Sequence, residues 1–312
     1  MSSPPTLRQA RASDDEAVAS FTRETWAERG VSDYIPDVFA EWVASDGDDQ
    51  RTFVVDVRDD PSPPAEPGDV AAIAQGHRLT SWEAWASGMR VAPDHRGQGF
   101  SEALCDAIFE WARERGCVVC RNMTFSWNGA GLGSSRRLGF DPCTEIRWAH
   151  PTPDADASGD SAAVDSSPHP DGAWAFWSDS VARDRLRGLV MDRDESWALA
   201  TLTRDRLHRA ADEGRLVTVE AGTRGFTERI RTFEREEDGE SVEYAEYAIA
   251  AWPDGDTEAA TAVLAGAARD AAALGVDRTR VMLPEDVTWV SDAAAARVEI
   301  ADEPAFVLAA RL

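Results

Sequence analysis

Residues 90–104 read RVAPDHRGQGFSEAL: an apolar stretch that stops at a proline, an Arg-Gly-Gln-Gly, and then an amphipathic run. Glycine permits backbone conformations and close approaches that other residues resist. A helix start leaves N–H groups without acceptors and carries a partial positive charge. Arg96, Gly97, Gln98, Gly99, Phe100 and Ser101 are therefore expected to cradle an anion, most simply a phosphate. A tight strand-to-helix turn that needs glycine only for its own backbone is the competing reading, and the fragment alone leaves both open.

A second position able to do chemistry is Glu83. It lies on the strand-like SWEAWASGMRVAP (81–93), which carries no other charge but Arg90, and it alternates onto one face with Trp85 and Ser87. It is the candidate proton acceptor; an exposed charge near a strand start is the alternative. Trp82, Trp85 and Trp127 are candidates for lining a pocket, with core packing as the competing role. Cys117 and Cys120 form a CxxC inside CVVCRNMTF, which reads as a strand. Residues three apart on a strand face opposite ways, so they do not clamp one metal. No second CxxC or HxxxH follows, so no metal is expected, and the four cysteines read as thiols of a reducing compartment.

The elements that must position these residues follow from periodicity. Residues 12–30 and 36–45 read as helices, with Ser13 or Asp14 capping the first and Pro36 in the first turn of the second. Strands are expected at 51–59, 69–79 and 81–93. A helix spans 99–115, where Phe100, Ala103, Leu104, Ala107, Ile108 and Trp111 keep the helical spacing and Gly116 ends it. A strand at 117–125, a short helix within 127–140 and a strand at 143–150 complete an ααβββαβαβ order. Residues 149–173 are rich in Pro, Asp, Ser, Ala and Gly and predict a flexible linker between domains at 1–148 and 174–312. The second region shows strands at 197–203, 216–221, 226–236 and 242–252, an Ala-rich helix at 256–275, a strand at 279–284, a short helix at 286–296 and a last strand at 304–312. Long strand, helix, strand, short helix, strand repeats the order of 81–150, which points to a structural repeat.

Composition narrows the partners. The net charge is −25, and all 32 basic residues are arginine. The acidic residues are spread along the chain, as expected of a surface adapted to molar salt rather than of a device for steering cationic substrates, which such salt screens within ~3 Å. Nucleic-acid binding needs basic patches and is not expected. No apolar run reaches the ~18 residues of a membrane span, and the first residues lack the apolar core of a signal peptide. A cytoplasmic location is expected.

Val91-Ala92-Pro93-Asp94-His95-Arg96-Gly97-Gln98-Gly99-Phe100-Ser101 resembles motif A of the GNAT superfamily of acetyl-CoA-dependent N-acetyltransferases, V-x-P-x-x-R-G-x-G-x-(G/A/S). Asn128 and Leu138-Gly139-Phe140 resemble its motif B, and the resemblance covers about residues 6–148. It implies an α/β (α+β) GNAT fold: a mixed, mostly antiparallel sheet whose central strand pair splays apart. It also implies acetyl-CoA as co-substrate, held at its pyrophosphate by the N–H groups of Arg96 to Ser101. Met89, Arg90 and Val91 would pair with the pantetheine amides as an added strand does, and Asn128 would lie beside that arm. Arg136 or Arg137 is a candidate for the 3′-phosphate, with solvated arginines as the alternative. Two positions depart from the pattern. Asp94 stands where Gln or Arg is common. Ser135 stands where many relatives carry a tyrosine acid, four residues before the Gly of the LGF ending, and a serine hydroxyl is a weaker acid. In the second region the corresponding loop, Trp252-Pro253-Asp254-Gly255-Asp256, lacks RGxG and carries two carboxylates, which implies a degenerate GNAT-like half without cofactor. The layout is similar to that of histidine N-acetyltransferase-like proteins. The expected function is direct transfer of acetyl to a primary amine of a small molecule, amino acid or peptide, with Glu83 as base and Ser135 as acid. No acetyl-enzyme is expected, since no cysteine has a nucleophile's setting. The alternative is a non-catalytic acyl-CoA-binding module with a partner-binding second domain.

Overall fold

The structure, a computed structural model, describes residues 5–312 except 24, 27–29, 31, 59, 158–163 and 238. The chain forms two compact units. The first holds residues up to Asn122, then Ala130–Asp141 and Leu308–Leu312; the second holds Met123–Gly129 and Pro142–Val307.

In the first unit, β1 (Thr6–Gln9), α1 (Asp15–Thr22), α2 (Ile35–Ser45), β2 (Gln50–Asp56), β3 (Val70–Arg78), β4 (Glu83–Val91), α3 (Phe100–Glu114), β5 (Val119–Phe125, its last residues counted with the second unit) and α4 (Gly129–Arg137) follow in order. The sheet runs β1-β2-β3-β4-β5, antiparallel except for the last pair. One face carries α1 and α2, whose Val18, Ile35 and Phe39 pack with Val54 and Ile73 of the sheet. The other face carries α3. Its Phe100, Leu104, Ile108 and Trp111 form a buried stripe at three- and four-residue spacing. Gly76 on β3 leaves room for it: a Cβ there would stand 3.1 Å from Ile108 and 3.2 Å from the Trp111 ring. The last residues of the chain return to this unit, where Leu312 N–H donates to Val118 O at 3.0 Å.

The second unit contains β6 (Asp141–His150), α5 (Pro170–Asp179), α6 (Val181–Arg185), β7 (Leu189–Met191), β8 (Leu199–Thr201), α7 (Arg204–Asp212), β9 (Leu216–Val219), β10 (Gly225–Glu237), β11 (Glu240–Ala251), α8 (Thr257–Leu274), β12 (Arg278–Pro284), α9 (Val287–Ala295) and β13 (Glu299–Ile300), and it shares β14 (Ala305–Arg311) with the first. Within it the strands run β6-β12-β11-β10-β9, with β11 and β12 parallel and the others antiparallel. The β11–α8–β12 crossover matches β4–α3–β5. In both, the parallel pairing is short: β4 and β5 pair at their starts, Glu83–Trp85 with Val119–Arg121, and the middle of β11, Tyr244–Tyr247, pairs with the start of β12.

Several expectations change. The first helix is shorter than 12–30; its expected end falls partly on residues outside those described. β6 groups with the second unit, so the division precedes residue 148 rather than following it. Of the supposed linker, 158–163 lie outside the described residues, and the rest is fixed. Asp165 accepts from the Thr218 hydroxyl at 2.6 Å, Val164 bridges Val219, and α5 starts at Pro170. Polar composition marked a segment without core residues, but hydrogen bonds hold it instead. No helix among the described residues is long and apolar enough to cross a membrane.

Candidate active site

Val91 ends β4, a 3-10 turn follows at Pro93–His95, and α3 begins at Phe100. Gly97 and Gly99 carry φ of +77° and +84°, a region that costs other residues about 1–2 kcal/mol. A Cβ at either would meet nothing within 4 Å. The glycines therefore serve backbone conformation, and the space above them is open. Among the described residues, none offers a backbone acceptor to the N–H groups of Gly97, Gln98, Gly99, Phe100 or Ser101, while Gly99 O takes those of Glu102 and Ala103. Five N–H groups thus fan out at the start of a fifteen-residue helix, a fit for a diphosphate. Buried Phe100 stacks on His95, centroids 6.0 Å apart, and anchors the turn. The side chains of Arg96 and Gln98 are exposed.

β4 pairs with β5 only from Glu83 to Trp85; beyond that the ladder stops. Its other edge holds a bulge. Ile73 pairs with Arg90 and Gln75 with Ser87, so Gly88 and Met89 together face Ala74. Gly88 has φ +63°, and a Cβ there would stand 2.6 Å from the Trp42 ring on α2. Only glycine suits the position, and the bulge redirects the backbone of Met89 to Val91 where the strands part. The Arg90 side chain turns to the α2 side, where its Nε donates to buried Asp33 at 2.6 Å and its guanidinium lies 4.3 Å from the Trp26 ring centre.

Glu83 is the main correction. It stands at the closed end of the β4–β5 pair, about 26 Å of strand from Val91 at the usual rise. Its carboxylate is fully buried, accepting from Arg121 Nη1 at 2.7 Å and from the Thr80 hydroxyl at 3.1 Å. Glu83 thus sits in a buried ion pair away from the opening. Trp85 is core, and Trp82 lies beside Arg121 at the same closed end. Ser135 is buried on α4, where its hydroxyl accepts from Asn122 Nδ2 at 3.0 Å and keeps its own proton to donate. Asn128 falls in the second unit just past β5, its N–H donating to Phe125 O at 2.9 Å; Trp127 stacks on Phe125 there. Arg136 bonds Asp141 and Phe140 O, and Arg137 is exposed.

The three thiols Cys105, Cys117 and Cys120 are buried and free, and burial pushes each above its ordinary range, Cys105 to about 12. Among the described residues no group of three His, Cys, Asp or Glu side chains is placed to hold a metal. In the second unit, Asp256 caps α8 by accepting from Ala259 N–H at 3.0 Å and pairs with Arg224. The helix start that would face an anion there is closed by the chain's own carboxylate.

A splayed parallel pair with an N–H-lined turn between strand and helix defines an acetyltransferase of the GNAT class. Residues 15–140 match the model of the Acetyltransferase (GNAT) family, and the chain belongs to that family, whose members use acetyl-CoA. It is similar to streptothricin acetyltransferase from Streptomyces lavendulae, 30% identical over 166 residues that cover 44% of this chain and 82% of that protein. It is also similar to thialysine N-epsilon-acetyltransferase from Bos taurus, 24% identical over 154 residues covering 46% of this chain and 88% of that protein. In fold it resembles a GCN5-related N-acetyltransferase from Sphaerobacter thermophilus, with a TM-score of 0.59 at 14% identity, over 98% of this chain and 95% of that one.

Proposed function

We propose that this chain transfers acetyl from acetyl-CoA to the amine of a small molecule by direct attack. The observation that carries the reading is the set of five N–H groups at Gly97–Ser101 with no backbone acceptor among the described residues, next to a strand whose ladder stops short. The bound co-substrate supplies an acetyl thioester. The chain's part is to hold the diphosphate at this turn and to offer the backbone of Met89–Val91 as a strand edge. A backbone N–H at the Gly88 bulge is the candidate donor to the carbonyl oxygen. As the amine nitrogen bonds to the carbonyl carbon and the C–S bond breaks, the Ser135 hydroxyl donates a hydrogen bond to the departing thiolate; the amine proton leaves to solvent and solvent returns one to the sulfur. The relatives' names, which mention thialysine and streptothricin, favour a small-molecule amine over a peptide. The second unit, with its capped α8, is read as a GNAT-like half without cofactor.

A second reading has its own support. With Glu83 locked to Arg121, no acidic side chain proposed for the site reaches the opening, as expected of an acyl-CoA-binding module without turnover. Calorimetry with coenzyme A, followed by thiol release from acetyl-CoA against a panel of amines, separates the two. Binding with amine-dependent thiol release supports transfer; binding without release on any amine supports the module. Absence of coenzyme A binding removes both.

A further inference from the structure

On the second unit's sheet, cross-strand pairing lines up a row of unusual side chains. Glu246 on β11 stands opposite Arg280 on β12 and opposite Arg231 on β10. Trp148 on β6 pairs with Met282, two residues beyond Arg280. Opposed residues, and residues two apart, share a face, so these four lie on one side of the sheet. The neighbouring Tyr247 points to the opposite side, where its hydroxyl donates to Ala267 O of α8 at 2.9 Å.

The row is charged and walled by rings. Glu246 is fully buried and accepts from Arg231 Nη2 at 2.9 Å and from Arg280 Nε at 3.0 Å. The Arg280 guanidinium lies 4.4 Å from the Trp197 ring centre, 4.7 Å from Trp148 and 4.9 Å from Phe233. Two guanidinium groups share one carboxylate, which leaves one positive charge over. Two buried donors of the row have no acceptor: Arg231 Nε and Trp148 Nε1, the latter on a residue only 6% exposed. A buried donor left unsatisfied costs stability, and a water or a ligand usually accounts for it in native proteins.

We propose that this face of the second unit binds a small organic acid, with its carboxylate on Arg231 and a second acceptor atom of the same molecule on Trp148 Nε1. Such a ligand satisfies both orphaned donors and balances the surplus cation. The charged and titratable groups on the side of Arg231 are Glu246 and Arg280 across the strands, Arg235 and Tyr244 farther along the same face, and Glu195 in the β7–β8 turn. Behind Glu195, Asp192 takes the backbone N–H groups of Asp194 and Glu195. His150, next on the same face of β6, is held by Thr279 O at 2.8 Å. Burial and the nearby Asp192 push the Glu195 carboxyl up to about 8 against the pull of Arg231. At neutral pH it therefore leaves the row's surplus charge to a ligand; once ionised, it competes for Arg231.

The test uses the full chain without coenzyme A, so it is independent of the acetyl-transfer reading. Calorimetry compares phenylacetate with phenylacetamide. The expected result is saturable binding of the acid at least about tenfold tighter than of the amide, as one charge-assisted hydrogen bond provides. Affinity for the acid should fall as pH rises through about 8 in the wild type and stay level in Glu195→Gln. Trp148→Phe, which keeps a ring and removes the N–H, should weaken binding of 4-hydroxyphenylacetate, whose hydroxyl can be the second acceptor, about tenfold and leave phenylacetate unchanged. No saturable binding of phenylacetate, or equal affinity for acid and amide, overturns the proposal; both comparisons need only the wild-type protein.

Discussion

His77 stands on β3, buried and opposite Trp85 of β4. Its Nε2 is 2.7 Å from Gln75 Oε1. Gln75 is oriented by its own Nε2, which donates to Thr52 Oγ1 at 3.1 Å, and that hydroxyl donates to Asp46 Oδ1 at 3.0 Å. The amide oxygen can only accept, so the imidazole carries a proton on Nε2. Burial lowers its pKa from 6.5 to about 4. The unfolded chain therefore takes up this proton before the folded one does as pH falls. Stability present above pH 6.5 is lost on acidification and is gone by about pH 4. Linkage over this gap gives a loss of about 1.3 kcal/mol at pH 5.5 and about 2.5 kcal/mol at pH 4.5, relative to pH 7.5. Asp56 does not intrude on this window. Although burial opposes it, the hydrogen bonds from Arg58 and Arg8 hold its carboxyl at about 2, so its acid loss begins only below its ordinary 3.8. Urea unfolding at pH 7.5, 5.5 and 4.5 and constant salt, for wild type and His77→Gln, measures the effect. The wild type should lose more stability than the variant, by the amounts above. Parallel pH dependences in the two proteins would refute the reasoning.

Three further outcomes follow from the same kind of argument. Glu83→Gln leaves Arg121 buried without its counter-charge and should cost about 3–5 kcal/mol in urea unfolding, while the shape of any pH–rate profile stays as in the wild type. Gly88→Ala meets both the positive φ and the Trp42 ring; the loss should be about 3 kcal/mol, combining backbone strain with overpacking. For Glu195, the folded carboxyl ionises near 8 and the unfolded one near 4.5. Its cost is thus absent below pH 4.5 and complete above pH 8, and Glu195→Gln should stabilise the protein at pH 8.5 by about 1–2 kcal/mol after allowance for its partial exposure, and not at pH 4.

What the sequence disclosed was mostly local. The turn at Arg96–Gly99 and the stripe along α3 rest on glycine chemistry and on three- and four-residue spacing, and both appear where expected. The bulge at Gly88 had a signal in a glycine inside a strand. The role of Glu83 had none, since Arg121 lies 38 residues away and only the parallel pairing of β4 with β5 brings them together. β1 is four residues of an edge strand, too short for alternation to show. α7 reads RDRLHRAAD and escaped because a charged residue occupies its buried face. Arg206 is buried there with Glu228, at 2.9 Å, in a place where periodicity looks for an apolar side chain. The orphaned N–H groups of Trp148 and Arg231 were likewise invisible, because only a folded sheet shows which donors lack acceptors.

The return of residues 308–312 to the first unit has a consequence for biosynthesis. Those residues emerge about 170 positions after Asp141, the last earlier residue of that unit. At usual elongation rates the ribosome needs roughly 10–30 s to deliver them. Throughout that interval the nascent amino-terminal half lacks the amide of Leu312 that bonds Val118, and it waits with an open strand margin of the kind that recruits neighbouring chains. Production of the front half by itself should accordingly give a sticky product, and supplying the missing tail as a separate peptide should relieve it.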